Sequence, residues 1–382
     1  MDAVKRPVQA LTAQSWFRLP RQPMLRHGLF ALLAGVGFYF LTNWFSAFND
    51  YELGEIAFYA IALAGLTLLT GITGQISLGN GGFMAVGAFT LALLYTHTKW
   101  NLVPDLFVVV IVSVIAGGII GIPATRLRGP YLAGMTLTVA LGLPYLTNQY
   151  ESIFGGDQGL PTPPPTGPAN INPEQWLAWI QILGALITLV LLGNLLRSRF
   201  GRSFRAVRDD EIAASLAGIN VPRTKVIAFM VSAGCAGLAG AFLALSAGVT
   251  NSAEFPLALS IYLLAGVVLG GTGSLMGVWW GAIIVVYLPN EWATDLAGDF
   301  HANSLVSANL AIIIFGLVLV VMMLVAPSGI QGGIRWLAAK VAAYFSSDTV
   351  TNMTLPLQEA AEPGVNLPVN GGSVTPVEKQ GV

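Results

Sequence analysis

Residues 175–196, QWLAWIQILGALITLVLLGNLL, form an apolar run without a charged side chain. The next segment, residues 197–225, reads RSRFGRSFRAVRDDEIAASLAGINVPRTK. Of the 18 basic and 19 acidic residues in the chain, 10 fall in this segment, and a second apolar run follows it. Because a helix needs about 20 apolar residues to cross a bilayer, both runs are predicted to cross, with the charged segment outside the membrane.

The composition of the whole chain supports a membrane protein. The chain has 382 residues, of which 54% are hydrophobic and 10% are charged, whereas soluble domains carry about 25% charge. Its apolar runs are long and continuous, unlike the alternating segments of roughly ten residues that build membrane barrels. A net charge of −1 does not indicate nucleic-acid binding, and a single cysteine excludes an internal disulfide. The predicted fold class is an all-α polytopic membrane protein.

The hydropathy pattern predicts about ten transmembrane or half-membrane helices. They lie near residues 28–48, 55–76, 80–97, 103–125, 130–147, 175–196, 226–248, 258–271, 275–290 and 306–326. The eighth and ninth are short and are separated by GGTGSLMG, so they are either half-helices or one broken span. The glycines of this break are candidates for a hinge or gate: Gly270, Gly271, Gly273 and Gly277.

The basic residues predict the orientation, because lysine and arginine accumulate in cytoplasmic loops. With ten crossings, every basic residue except Lys99 lies on one side, which is therefore predicted to be cytoplasmic, together with both termini. The predicted organisation is a cytoplasmic N-terminal segment over 1–27, a membrane domain over 28–340, and a disordered cytoplasmic tail over 341–382.

The external loop, about residues 148–174, contains FGGDQGLPTPPPTGP and is rich in proline. Proline stiffens an extended backbone. Two interpretations remain open: a rigid connector between spans, or a docking surface for an external partner.

Several kinds of chemistry lack the residues they need. No ionisable residue lies in the middle of a predicted span, which disfavours proton-coupled transport and favours a solute without net charge. Sodium coupling through carbonyl and hydroxyl groups stays open. There is no G-x-x-x-x-G-K-[ST] motif for ATP and no H-E-x-x-H motif for a metal. The spans offer no base beside a nucleophile, so no catalytic residue, metal site or cofactor is predicted.

Residues 70–89, TGITGQISLGNGGFMAVGAF, combine glycine with three polar side chains inside a membrane segment. Irregular backbone at membrane depth is tolerated where it is buried in protein or lines a wet cavity. Gln75, Ser77 and Asn80 are therefore candidates to line a solute path, and simple packing is an equal alternative. Glycines three apart in the seventh span favour close helix packing: Gly234, Gly237 and Gly240.

The charged segment has the pattern of an ordered helical element. Ser203 is a possible N-cap for a helix over 204–217, and Gly218 fits the position just past its end. Asp209 could instead cap a second short helix. Acidic residues contribute little to membrane orientation, so the acids of this segment indicate a helix docked on a partner.

The stretch GRSFRAVRDDEIAASLAGINVPRTKVIAFMVSAGCAGLAG (201–240) resembles the main cytoplasmic loop and next helix of branched-chain amino acid ABC transporter permeases of the LivM type. Other stretches resemble the family in the same order: TGITGQISLGNGGFMAVGAF, RLRGPYLAGMTLT, the FGGDQGLP loop, VVLGGTGSLMGVWWGA and APSGIQGG. The resemblance covers about residues 50–335. It implies a multi-pass subunit of the cell (inner) membrane that pairs with a LivH-type permease. Two cytoplasmic ATPase subunits would bind the ATP, and an external solute-binding protein would deliver the ligand.

The same resemblance implies that the charged segment is a coupling loop of the EAA type, in which Glu-Ala-Ala is followed by three residues and glycine. Ala213, Ala214 and Gly218 keep that spacing, but Ile212 stands at the glutamate position and Glu211 lies one residue earlier. The predicted ATPase-coupling residues are Arg205, Arg208, Asp209, Asp210, Glu211, Ala213, Ala214 and Gly218.

The implied substrate is leucine, isoleucine or valine, with urea, short amides and other amino acids open within the family. An alternative of another class is an ion-coupled secondary transporter or channel that works without ATP. An intramembrane enzyme is the weakest reading, because no base is available.

Overall fold

The computed structural model describes residues 47–98, 101–127, 129–168, 171–287 and 329–340, with a few single positions elsewhere. The predicted spans at 28–48 and 306–326 lie almost entirely outside these residues, and the tail after 341 lies wholly outside them. The chain divides into two compact units, 1–333 and 334–382. Residues 334–340 of the second unit are helical.

Helices make up most of the described part of this unit. The α-helices, in chain order, are α1 Ala47–Leu66, α2 Asn80–His97, α3 Leu102–Ala124, α4 Pro130–Gln149, α5 Glu151–Phe154, α6 Pro173–Arg197, α7 Arg199–Asp209, α8 Glu211–Leu216, α9 Val221–Ala247, α10 Leu257–Gly270 and α11 Gly277–Tyr287. A π-helix, Thr67–Ile72, extends α1. Two short strands, β1 Leu160–Pro161 and β2 Val249–Thr250, pair antiparallel.

Five helical segments among the described residues are long and apolar enough to cross a membrane. They are Asp50–Ile72, Leu102–Ala124, Pro173–Arg197, Val221–Ala247 and Ser252–Gly270. The helix α11 is apolar but shorter. The all-α membrane fold expected from composition is therefore present.

The centre of the fold is α9, which packs against α1, α2 and α3. Small residues permit this close approach, because in lipid they let helix backbones come together. A Cβ atom at Gly87 of α2 would overlap the carbonyl group of Gly237 in α9, and one at Gly240 would overlap the carbonyl of Met84. The predicted packing role of the glycines in the seventh span is thus confirmed for Gly237 and Gly240.

The helix bounds agree with the predicted spans in most places, and α2 at Asn80–His97 matches its prediction at both ends. The prediction that the second span begins at 55 is wrong, because α1 begins at Ala47. Two acids, Asp50 and Glu52, lie inside the first part of this helix. Asp50 and Glu52 are buried, and Glu52 accepts a 2.8 Å hydrogen bond from the hydroxyl of Tyr287.

The helices α10 and α11 form an antiparallel hairpin. Gly266 of α10 faces Gly281 of α11, and Gly270 faces Gly277. A Cβ atom at Gly270 would overlap the carbonyl oxygen of Gly277, and one at Gly277 would overlap that of Gly270. In the turn between the helices, Gly271 has a φ of 116°, which side chains disfavour. The predicted eighth and ninth segments are therefore separate helices that run in opposite directions.

The proline-rich loop starts as an ordered element attached to the end of α9. Strand β1 pairs with β2, which follows α9. The backbone N–H of Thr162 donates to the Gly248 carbonyl at 2.9 Å, and its hydroxyl donates to the Ala244 carbonyl at 2.8 Å. These bonds support the rigid-connector interpretation for the first part of the loop.

Candidate functional site

The charged segment folds as two consecutive short helices, α7 and α8, between α6 and α9. The N-cap of α7 is Ser198, whose side chain accepts a 3.1 Å hydrogen bond from the Phe200 N–H. The prediction of Ser203 as the cap is wrong. Ser203 lies inside α7, and its hydroxyl donates to the Arg199 carbonyl. The extended backbone of Ser198 turns the chain directly from α6 into α7, so the helix starts five residues earlier.

One face of α7 packs against the membrane helices and buries Phe204 and Val207. Burying such side chains stabilises by roughly 1.5–3 kcal/mol each. Arg205 adds polar attachment, because its guanidinium donates to the carbonyls of Leu196 at 2.5 Å and Gly201 at 3.1 Å. Arg205 therefore fastens α7 to the last turn of α6.

Arg208 makes the longest-range contact of the segment. Its Nη1 donates to the carbonyl oxygen of Gly71 at 2.8 Å, across 137 residues of chain. Gly71 belongs to the π-helix at the end of α1. The predicted coupling arginines Arg205 and Arg208 thus both reach back to the membrane helices.

The helix α8 is short but capped at both ends. The carboxylate of Asp210 accepts hydrogen bonds from the N–H groups of Ile212 at 2.7 Å and Ala213 at 3.0 Å. Asp210 is therefore the N-cap, and the prediction of Asp209 in that role is wrong by one residue. The predicted end at Gly218 is confirmed, with a φ of 82°.

Glu211 anchors α8 to the start of α9. Its Oε1 lies 2.5 Å from the Nζ of Lys225, and Lys225 is only 5% exposed. Removing one partner from a buried ion pair leaves an uncompensated charge and costs about 3–5 kcal/mol. The partial exposure of Glu211 lowers that cost. The glutamate therefore faces inward, towards this chain.

We expect Glu211→Gln and Lys225→Met each to lower the thermal unfolding midpoint of the purified protein by a few degrees. The charge-swapped double variant Glu211→Lys with Lys225→Glu should recover part of the loss, because it restores the ion pair. Asp209→Asn, at an exposed neighbouring acid, should have no measurable effect. The pairing would be contradicted if the double variant lowered the unfolding midpoint by as much as its two single changes do together.

The outward face of α8 is apolar. Ile212 and Leu216 lie four residues apart, on one side of the helix, and are 68% and 84% exposed. Ala213 is exposed beside them, whereas Ala214 is buried. The predicted coupling residues include Ala213, Ala214 and Gly218 besides the charged side chains, but not Ile212 or Leu216. Their i, i+4 spacing in a short helix between two spans was the available signal.

Gln75 and Ser77 lie between the π-helix and α2, Asn80 is the first residue of α2, and all three are buried within this chain. The side-chain amide of Asn80 donates to the Ala62 carbonyl at 3.2 Å, and the hydroxyl of Ser77 accepts from the Gly79 N–H. Among the described residues, no group donates to the buried Oε1 of Gln75. Their role in a solute path stays a prediction.

Arg208 of the coupling segment and Gly273 of the candidate hinge meet at the π-helix that precedes Gln75. A Cβ atom at Gly71 would contact the backbone of Gly273, in the α10–α11 turn, and Arg208 lies beside both. The candidate hinge glycines therefore adjoin the coupling segment and the irregular backbone before α2. Their role as a gate stays a prediction.

Sequence analysis did not anticipate a buried acid at the opposite end of the helices. Asp105, in the first turn of α3, is fully buried, and in the described part of the chain neither carboxylate oxygen has a hydrogen-bond partner. The available signal was one acid just inside an otherwise apolar run.

These features define a multi-pass α-helical membrane protein with an anchored two-helix element between spans. The family model for the branched-chain amino acid transport system permease component matches residues 48–326. The chain belongs to this family.

Relatives in the family are similar over most of the chain. LivM, the high-affinity branched-chain amino acid transport system permease protein, is 32% identical over 300 residues in both Salmonella typhimurium and Escherichia coli. That alignment covers 71% of this chain and 67% of each relative. LivH from Escherichia coli is 28% identical over 315 residues, which cover 77% of this chain and 96% of the relative. No solved structure matches significantly.

Proposed function

We propose that this chain is one of two different permease subunits of an ATP-driven importer for leucine, isoleucine and valine in the cell inner membrane. It spans the membrane about ten times and keeps both termini in the cytoplasm. A LivH-type subunit completes the path, two cytoplasmic ATPase subunits hydrolyse ATP, and an external binding protein delivers the amino acid. The chain itself carries no catalytic residue and no cofactor.

The observation that carries the proposal is the exposed apolar pair Ile212 and Leu216 on α8, a helix whose opposite face is fixed to this chain. Large exposed apolar patches rimmed by polar residues mark protein–protein interaction sites, and we propose that this pair, with the exposed Ala213 beside it, is the centre of such a site. The caps on α8 and the Glu211–Lys225 ion pair hold the helix in place, so that it can move as a rigid unit. Such a helix can transfer force from an ATPase subunit to the membrane helices.

The proposed substrate class rests on the family and on the charge pattern of the spans. A branched-chain amino acid is zwitterionic and has no net charge, so it needs no fixed counter-charge in mid-membrane. Gln75, Ser77 and Asn80 supply uncharged polar groups beside irregular backbone, where a path is compatible with membrane burial.

Co-expression with the ATPase subunits, the second permease and the binding protein tests the proposal. We expect a stable complex whose ATPase activity rises with binding protein loaded with leucine, isoleucine or valine. Stimulation by urea or acetamide alone would reassign the substrate within the family. Uptake by this chain without ATPase subunits would contradict the proposed class.

Leu216→Asp should remove the ATPase subunits from the purified complex. Truncating a central interface anchor costs about 2 kcal/mol or more, and a carboxylate in an apolar pocket adds its desolvation cost. Because Leu216 is 84% exposed in this chain, the thermal stability of the free permease should not change. Leu216→Met is the matched control and should retain the complex. Wild-type ATPase content in Leu216→Asp would exclude this surface.

A further inference from the structure

The end of α1 is an unusual helix terminus. The helix widens into the π-helix Thr67–Ile72, and irregular backbone follows until α2 begins at Asn80. The N–H groups of Thr73 and Gln75 donate back to Leu68 and Leu69, each at 3.0 Å. Single turns of π-helix are rare and occur often at functional sites.

Arg208 caps this terminus from another part of the chain. The last carbonyls of a helix lack partners within the helix, and Arg208 donates to that of Gly71 at 2.8 Å. A guanidinium suits this place because cations are favourable at helix C-termini, and hydrogen bonds from charged donors are roughly twice as strong as neutral ones.

The surroundings of Arg208 are shaped to its side chain. A Cβ atom at Gly74 would lie 3.2 Å from the Cγ of Arg208, so glycine leaves room for the methylene groups. Gly273, in the α10–α11 turn, lies beside the guanidinium, because a Cβ atom there would be 4.0 Å from its Nη1. The side chain therefore joins α7 to the place where two breaks in the membrane helices meet.

We propose that Arg208 is the positioning residue that transmits the movement of α7 and α8 to the π-helix, and through it to the segment Gln75–Asn80. The inference rests on the proposed function, because it assumes that an ATPase moves α7. A return of the π-helix to α-helical register, by a local shift of its hydrogen bonds, would give this terminus the second discrete arrangement that transmission between sites requires. Because the Arg208–Gly71 hydrogen bond joins α7 to this terminus, the position of α7 would decide which arrangement of the terminus is favoured.

Other arginines of the segment do not share this geometry. Arg205 bonds to Leu196 and Gly201, which belong to α6 and to α7 itself. Arg202, on the same helix, is exposed. Arg202→Ala therefore removes one positive charge from α7 without touching the π-helix, and it is the matched control for Arg208→Ala.

The test uses the complete transporter in proteoliposomes, together with hydrogen exchange. We expect Arg208→Ala to keep its ATPase subunits but to lose about tenfold in leucine uptake per ATP hydrolysed, within the range of coupling energies between sites. The amides of Thr73 and Gln75 should exchange faster in this variant. Arg208→Lys should be intermediate, because lysine keeps the charge but lacks the planar fork. Arg202→Ala should behave as wild type in every assay.

Unchanged amide exchange at Thr73 and Gln75 in Arg208→Ala would overturn the inference, and so would normal coupling. Loss of the ATPase subunits would also overturn it, because Arg208 would then be a docking residue. If Arg208→Ala does not accumulate, Arg208→Lys is judged by the same criteria. Failure of the proposed function is distinguishable: leucine would not stimulate the complex even with wild-type Arg208, whereas faster exchange in the variant would remain.

Discussion

Replacing Gly87 with valine should leave very little folded protein in the membrane. Gly87 lies where α2 crosses α9, and a Cβ atom there would overlap the carbonyl group of Gly237. The obstacle is backbone and not the flexible end of a side chain, so the helices must separate. Overpacking of a core typically costs 1–3 kcal/mol, occasionally more, and separation here also loosens the neighbouring contact between Gly240 and Met84.

Two quantities are measured for Gly87→Val: the yield of monodisperse protein after detergent extraction, and the thermal unfolding midpoint of the extracted protein. Gly134→Val is the matched control, because Gly134 is also a helical glycine and has no atom within 4 Å of a built Cβ. We expect the control to give a wild-type yield. Equal yields of the two variants would show that the α2–α9 crossing does not depend on Gly87.

The membrane class and most helix bounds were predictable from the sequence, because hydropathy and glycine mark them directly. The helix α2 is the clearest example, since its two ends match the prediction. The start of α1 was not predictable, because Asp50 and Glu52 have the charge of loop residues. Their burial, and the hydrogen bond from Tyr287 to Glu52, depend on a residue 235 positions away along the chain.

The sequence predicted the helical character of the charged segment, but not which groups its side chains bind. Arg205, Arg208 and Glu211 are predicted coupling residues, and the structure adds that all three bind groups of this chain. A single sequence cannot reveal that the carbonyl of Gly71 needs a donor, because the π-helix leaves no hydropathy signal. The exposure of Ile212 and Leu216 was not predictable, because it depends on which face of α8 packs against the rest of the chain.

Replacing Gly218 with valine should uncouple ATP hydrolysis from transport while leaving the membrane domain folded. Gly218 ends α8 with a φ of 82°, and the Ile219 N–H returns to the Ala214 carbonyl at 3.0 Å. A β-branched residue is strained in this left-handed conformation, at a cost of about 1–3 kcal/mol. Since α8 has only six residues, losing its C-terminal cap should unravel the helix that carries Ile212 and Leu216.

The strain at Gly218 can be separated from crowding and from general instability. No atom lies within 4 Å of a Cβ built at Gly218, and the same is true of Gly248, which ends α9 with a φ of 75°. Gly248→Val therefore introduces the same backbone strain at the opposite end of α9 and should leave the coupling ratio unchanged. Gly218→Asn should retain most activity, because asparagine tolerates this conformation. The measurement is leucine uptake per ATP hydrolysed in the three variants. Wild-type coupling in Gly218→Val would mean that α8 transmits no force. An equal loss of coupling in Gly248→Val would mean that the backbone strain acts through overall stability.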